Sequence, residues 1–401
     1  VIDDDSPSFE SDDEHSAAVT QREADSPSEE HRVGESARPP GPGLLESICW
    51  TIGVLPLQLA GAFLALFVIL VVFISQSNLS PAELQRVLRD QNHLQQIVQS
   101  YPGLNLGIIM SVFLIGSLTL ILIRLGSQRR RAMPVSFPSL WYVVLTFLWV
   151  VPLSILSGQL ALLANLGWEE ITTILPGLKS LDDLNLMEQL GEIVEGMPPW
   201  QIYLFIAVFP AVTEELLFRI LIGRGLVARY GVVAGITLTT LLFASVHLHP
   251  VHMVGLIPLS VAIHISYLSS RSIWIPMLAH YLNNALAVTF LLTTLRPHAE
   301  PLPAKALGED EFLPWWLTLA ALLSAISIGL VYWDSRVLRL RLTDSQEEIE
   351  REPFVSADRG PLTPSEQYAR CSPSYKYYVA LVLTLLFFGI SLVVHLRNIR
   401  G

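Results

Sequence analysis

The chain has 401 residues, 51% of them hydrophobic and 15% charged, with a mean hydropathy of +0.48. Its net charge is -11, but residues 1–40 hold twelve Asp/Glu against three Arg, so the remainder is nearly balanced. Apolar stretches near bilayer length recur along the chain; these features exclude an ordinary soluble multidomain protein and give no support for nucleic-acid binding.

Residues 1–45 read as a disordered, acidic, cytoplasmic tail, because a Ser-, Pro- and acid-rich segment cannot bury enough apolar surface to offset its conformational entropy. No basic region and cleavage site precede the first apolar segment, so that segment is expected to stay as an anchor. Residues 46–160 form an N-terminal transmembrane region with spans at 52–74, 104–123 and 140–160. A polar loop at 75–103 is expected to hold a short helix from Pro81. Residues 161–199 read as an acidic non-cytoplasmic loop. Further spans follow at 200–222, 232–247, 252–268, 272–292 and 314–333, then a polar linker at 334–376 and a last helix at 377–395.

The expected fold is therefore an all-α polytopic bundle of about eight to nine spans. Arg124 to Arg131, Arg224, Arg229, Arg271 and Arg336 to Arg341 all fall on one side of it, which the positive-inside rule makes cytoplasmic. This orientation puts the C-terminus outside and suits an integral protein of a bacterial inner membrane. Cys49 and Cys371 match no metal or redox spacing.

Charges inside an apolar span are expensive and need a reason. The span at 200–222 contains Glu214, Glu215 and Arg219. Glu215 and Arg219 are four apart on one helix face and are expected to form a buried, forked ion pair. Glu214 points about 100° away and needs a partner from another helix. The segment LLFASVHLHP places His247 near a span end, with Phe243 one turn before it. The segment PMLAHYLNNALAV puts His280 and Asn284 on one face and turns Asn283 away. His249, His252 and His264 read as ordinary structural histidines.

At a rise of 1.5 Å per residue, Glu214 lies roughly 12–15 Å below the cytoplasmic end, His280 about 12 Å, Asn284 about 18 Å and His247 about 22 Å. These groups fall in one layer. One carboxylate, two imidazoles and one carboxamide suit hydrolysis: a carboxylate or histidine takes a proton from water, and a histidine or asparagine donor stabilises the oxyanion. Two histidines and one glutamate are also a zinc ligand count, which here would use Glu214, His247 and His280.

EELLFR at 214–219, FASVH at 243–247 and HYLNN at 280–284 resemble, in order and spacing, the EExxxR, FxxxH and HxxxN motifs of the CPBP intramembrane proteases. This family includes the Rce1-type CAAX prenyl endopeptidases and the bacteriocin-processing and Abi groups. The resemblance covers about 200–292 and extends the expected protease core to 200–333. It implies that Glu214, with His247, activates the attacking water. It also implies that His280 and Asn284 line the oxyanion site, and that Glu215 and Arg219, with Phe243 packed beside them, support it. The implied activity is an intramembrane endopeptidase acting on membrane-associated or lipidated protein substrates, with a divalent metal such as zinc or with a glutamate alone. The alternative is a catalytically silent membrane scaffold or immunity protein on the same fold. A proton-coupled transporter also uses intramembrane Glu, Arg and His, but these groups have no counterpart before residue 160.

Overall fold

The computed structural model describes residues 41–126, 133, 135, 137–184, 190, 191, 193–294, 312–342 and 374–400, and every regular element among them is helical. The expectations for the acidic tail and for most of the polar linker fall outside these residues. Helix α1 is Leu44–Ile52 and α2 is Val54–Gln76; α3 is Pro81–Arg89, α4 Gln91–Gln99, α5 Pro102–Leu125 and α6 Leu140–Ile174. The central stretch is composite. A single turn, α7 (Pro199–Ile202), opens into a π-helical turn at Tyr203–Val208. Then come α8 (Phe209–Glu215), a second π-helical segment at Leu216–Gly223, and α9 (Arg224–Ser245). The remaining helices are α10 (Pro250–Gly255), α11 (Ile257–Ser270), α12 (Trp274–Thr294), α13 (Trp315–Leu342) and α14 (Tyr375–Arg400).

Six helical stretches among the described residues are long and apolar enough to cross a membrane: Leu44–Gln76, Pro102–Leu125, Leu140–Ile174, Trp274–Thr293, Trp315–Ser335 and Tyr375–Asn398. This makes the protein an integral membrane protein by length and composition. The count of eight to nine is not met by that measure. The three other expected spans are interrupted, each for a local reason. Residues 200–222 alternate between α and π turns. Of residues 232–247, those up to Ser245 are the part of α9 beyond its kink at Gly231 (φ 79°), and a turn follows at 246–247, which leaves a short straight helix. Residues 252–268 divide into α10 and α11, and the 14 residues of α11 rise about 21 Å, short of the ~30 Å hydrocarbon core.

The N-terminal polar loop carries the helix expected from Pro81. Ser80 caps α3 and forms a capping box with Glu83, and Asp90 caps α4. Helix α6 does not stop at 160, where the acidic segment is expected to begin: it runs to Ile174 and a 3₁₀ turn at Pro176–Leu184 follows. Its 35 residues rise about 52 Å, so the helix outruns a bilayer. The acidic residues Glu169 and Glu170 therefore end the apolar stretch without ending the helix.

The composite segment sits at the centre. Every residue from Leu216 to Gly223 is buried, and Leu217, Phe218, Leu221 and Leu226 pack with Phe113, Phe243 and Tyr267 from α5, α9 and α11. Outer helices present apolar side chains outward, including Phe63 and Phe67 on α2 and Leu383 and Ile390 on α14. That pattern fits a lipid surround. Helix α6 is tied to α13 by Tyr142, Trp149 and Tyr332, whose rings stack at 4.9–5.5 Å, and by a Trp149 indole N–H donated to the Ala325 carbonyl at 2.9 Å.

Candidate functional site

The site begins with Glu214 and Glu215 at the end of α8, just before the second π segment. One carboxylate oxygen of Glu215 accepts a hydrogen bond from His280 Nδ1 at 2.8 Å. The other lies 3.1 Å from Arg219 Nε, with both side chains wholly buried. The ion pair expected four residues apart thus exists, but it is not forked: the Nε approach lies off hydrogen-bonding geometry, and Arg219 Nη2 turns instead toward the Ser260 carbonyl at 3.4 Å. Glu215 is shared between a cation and an imidazole, and the cation offsets the cost of burying its charge.

Glu214 faces His280 from the other side. Its Oε2 lies 3.8 Å from His280 Nε2, has no hydrogen-bond partner, and belongs to a side chain 15% exposed. With Nδ1 donating to Glu215, the Nε2 of a neutral His280 is an acceptor facing Glu214 across a gap slightly too long for a direct bond.

Phe243 organises the neighbourhood. Its ring packs edge-on against His280 at 5.8 Å, lies 5.4 Å from the His247 ring, and receives the Arg219 guanidinium at 4.9 Å from its centroid. His247, in the turn just past α9, uses Nδ1 on the Phe243 carbonyl one turn back at 3.3 Å, which leaves Nε2 for another group. The next residue, Leu248, has φ 59°, so the chain turns sharply as soon as the imidazole is placed.

Asn284 donates from Nδ2 to the Ile206 carbonyl at 3.3 Å. Its neighbour Asn283, which the helical wheel turns away from this face, has partners of its own. Asn283 Nδ2 points to Asn284 Oδ1 at 3.4 Å, and its Oδ1 accepts from Ser154 on α6 at 3.0 Å. A wheel shows only which way a side chain leaves its own helix; α6 supplies the partner, and no motif signals it.

His249 also has a partner that sequence could not reveal. Its Nε2 lies 3.4 Å from Asp182 Oδ1, an oxygen that also accepts from Trp168 Nε1 at 2.7 Å. His264 is fully buried and packs on Gly223, where an added Cβ would come within 2.6 Å of the His264 ring.

Glu214, Glu215, Arg219, Phe243 and His280 therefore converge, His247 joins them through Phe243, and Asn284 reaches the first π turn. Among the described residues, no group of three or more His, Cys, Asp or Glu is arranged as metal ligands, and as placed Glu214, His247 and His280 do not form such a set.

Residues 196–286 match the family model for type II CAAX prenyl endopeptidases, Rce1-like, so a CAAX-protease domain of this type is present over part of the chain. The matched stretch includes every site residue named above except Ser154, Trp168 and Asp182. No curated protein and no solved structure matches the chain.

Proposed function

We propose that this protein is an intramembrane endopeptidase that hydrolyses peptide bonds of membrane-associated or lipidated proteins with water activated by Glu214. The observation that carries this reading is the unpaired Glu214 oxygen facing an oriented His280 within a largely buried layer. An unsatisfied buried carboxylate oxygen costs free energy, and such groups call for an explanation. A water bound beside Glu214 Oε2 and His280 Nε2 satisfies both groups.

In the proposed step, Glu214 takes one proton from this water as the oxygen attacks the scissile carbonyl. The oxyanion is stabilised by an N–H donor, for which the second N–H of Asn284 is suited; His247, whose Nδ1–H is used on the Phe243 carbonyl, offers Nε2 as an acceptor. Glu214 then passes the proton to the leaving nitrogen, and the C–N bond breaks. Glu215 fixes the His280 tautomer, and Arg219 lies against Glu215 as its counter-ion. Zinc remains an expectation for this site, but no step here runs through it; sensitivity to chelation, reversed by added metal, is its test. The same reading takes the three interrupted central segments as crossings, nine in all, around a CPBP-type core.

The test compares wild type with Glu214→Gln in liposomes, reading cuts in membrane-tethered peptides by mass spectrometry. General acid–base catalysis contributes typically 10²–10⁴-fold, so a loss of at least about 100-fold is expected. Equal cutting by both folded proteins would overturn the reading. Biological function retained by the Glu214→Gln protein would favour the scaffold.

A further inference from the structure

We infer that Ser154 and Asn283 are positioning residues of this site, holding Asn284 through a directed chain of hydrogen bonds that ends on the Ile206 carbonyl. The inference rests on the proteolytic reading for its catalytic consequence, but not for the existence of the chain.

The cause lies in Pro210. Proline has no backbone N–H, so position 210 cannot supply the helical bond to the carbonyl four residues earlier, which is that of Ile206. The backbone opens into the π turn there, with the Phe209 N–H reaching back to Leu204. A carbonyl that loses its α-helical donor at this depth is stabilised by a side-chain one. Asn284 supplies it at 3.3 Å.

That single contact sets the direction of everything behind it. A carbonyl can only accept, so Asn284 must present Nδ2 to Ile206 and turn Oδ1 the other way. Asn284 Oδ1 can only accept, so Asn283 must present its Nδ2, at 3.4 Å. Asn283 Oδ1 is then left facing Ser154 Oγ at 3.0 Å, and the hydroxyl must donate. The Ser154 hydroxyl has a single hydrogen, which is shared between Asn283 Oδ1 and the Val150 carbonyl of its own helix at 2.9 Å. Neither amide can flip without opposing two acceptors. Three elements, α6, α12 and the π turn before α8, are thereby locked by a chain with one polarity. Asn284 spends one N–H on Ile206, and the chain fixes where the second one points. Glu214 lies only four residues beyond Pro210, so the same contact sets the height of the carboxylate against α12.

Ser154 and Asn284 make no hydrogen bond to each other, yet the chain predicts that they are energetically coupled. The experiment is a double-mutant cycle with Ser154→Ala and Asn284→Ala in the full chain in detergent, read by melting temperature and by kcat and KM for a cleaved membrane peptide. Ser154→Ala should lower kcat about three- to tenfold, the loss of one hydrogen bond, with KM within about twofold. Ser154→Thr, which keeps the hydroxyl, should restore kcat. In the Asn284→Ala background, Ser154→Ala should change melting and kcat by clearly less than it does in wild type. Additive melting shifts would overturn the chain. Coupled melting with additive kcat effects, or no rescue by threonine, would overturn the positioning role. Should the Asn284→Ala protein fail to fold, Asn283→Asp replaces it, since the carboxylate keeps the shape but cannot donate to Asn284. If wild type and Glu214→Gln cleave alike, proteolysis fails, and the melting cycle still decides the chain.

Discussion

Adjacent glutamates in one buried helix have opposite fates here. Glu215 is neutralised by Arg219 and bonded by His280, whereas Glu214 keeps one oxygen unpaired. Their substitutions should therefore part company. Glu215→Gln leaves Arg219 as an uncompensated buried cation and is expected to destabilise by about 3–5 kcal/mol. Glu214→Gln removes a charge that lacks a cationic partner of its own and should leave the melting temperature within a few degrees of wild type while abolishing cleavage. Thermal melts of the two purified variants, each beside a cleavage assay, check this. Equal destabilisation would mean that Glu214 carries structural weight and would weaken its assignment as the base.

Among the elements, the second π segment and α11 approach closely because Gly223 has no Cβ. An alanine there would meet the His264 ring and the Phe218 carbonyl, each at 2.6 Å. Gly223→Ala is expected to cost about 1–3 kcal/mol through overpacking, read as a lowered melting temperature. At the far end of α6, the 3₁₀ turn is tied back by Asp182. The Trp168 indole N–H and, less strongly, His249 hold the Asp182 carboxyl below its ordinary range. A depressed carboxyl stabilises the fold at pH above its unfolded value, and that contribution disappears as pH falls through the folded value. The melting temperature should thus drop as pH falls below the ordinary carboxyl range of about 4, and Asp182→Asn should flatten part of that drop. An unchanged acid limb in the variant would rule out this contribution. The tie also matters for the site, since His249 follows His247 by two residues, across the positive-φ Leu248.

In the whole molecule, contacts between distant segments sort the described chain into two ends. Arg124 donates to Glu46, Arg229 to the Gly41 carbonyl, Tyr142 to the Ser269 carbonyl and Trp274 to the Val135 carbonyl. These residues flank one set of helix ends. Trp168, Asp182 and His249 meet at the opposite set. The proposed nine crossings require Arg89 and Lys179 on one face of the membrane and Tyr230 on the other. Single cysteines at these positions, with Cys49 and Cys371 replaced, should react with an impermeant maleimide accordingly. Labelling of 179 and 230 from the same side would remove the crossing through the central composite segment.

Much of the site was legible in sequence because charge in an apolar run is costly wherever it occurs. Glu214, Glu215, Arg219, His247, His280 and Asn284 stand out on that ground alone, and a rise of 1.5 Å per residue brings them to similar depths. Sequence also determined the long apolar helices and the capped α3, whose Ser80–Glu83 pair is a local device. The packing decided the rest. A periodicity argument assumes regular α turns, and Pro210 and the two π segments break that assumption where the site is built. It gives the direction in which Asn283 leaves α12, but not that Ser154 waits there. It identifies Glu215 as a partner for Arg219, but the His280 imidazole that shares Glu215 arrives from 65 residues away. Hydropathy marks where a chain may enter a bilayer. Whether a segment such as α11, too short to cross alone, is a crossing or a re-entrant depends on the helices packed around it, because only they can satisfy the backbone it leaves open.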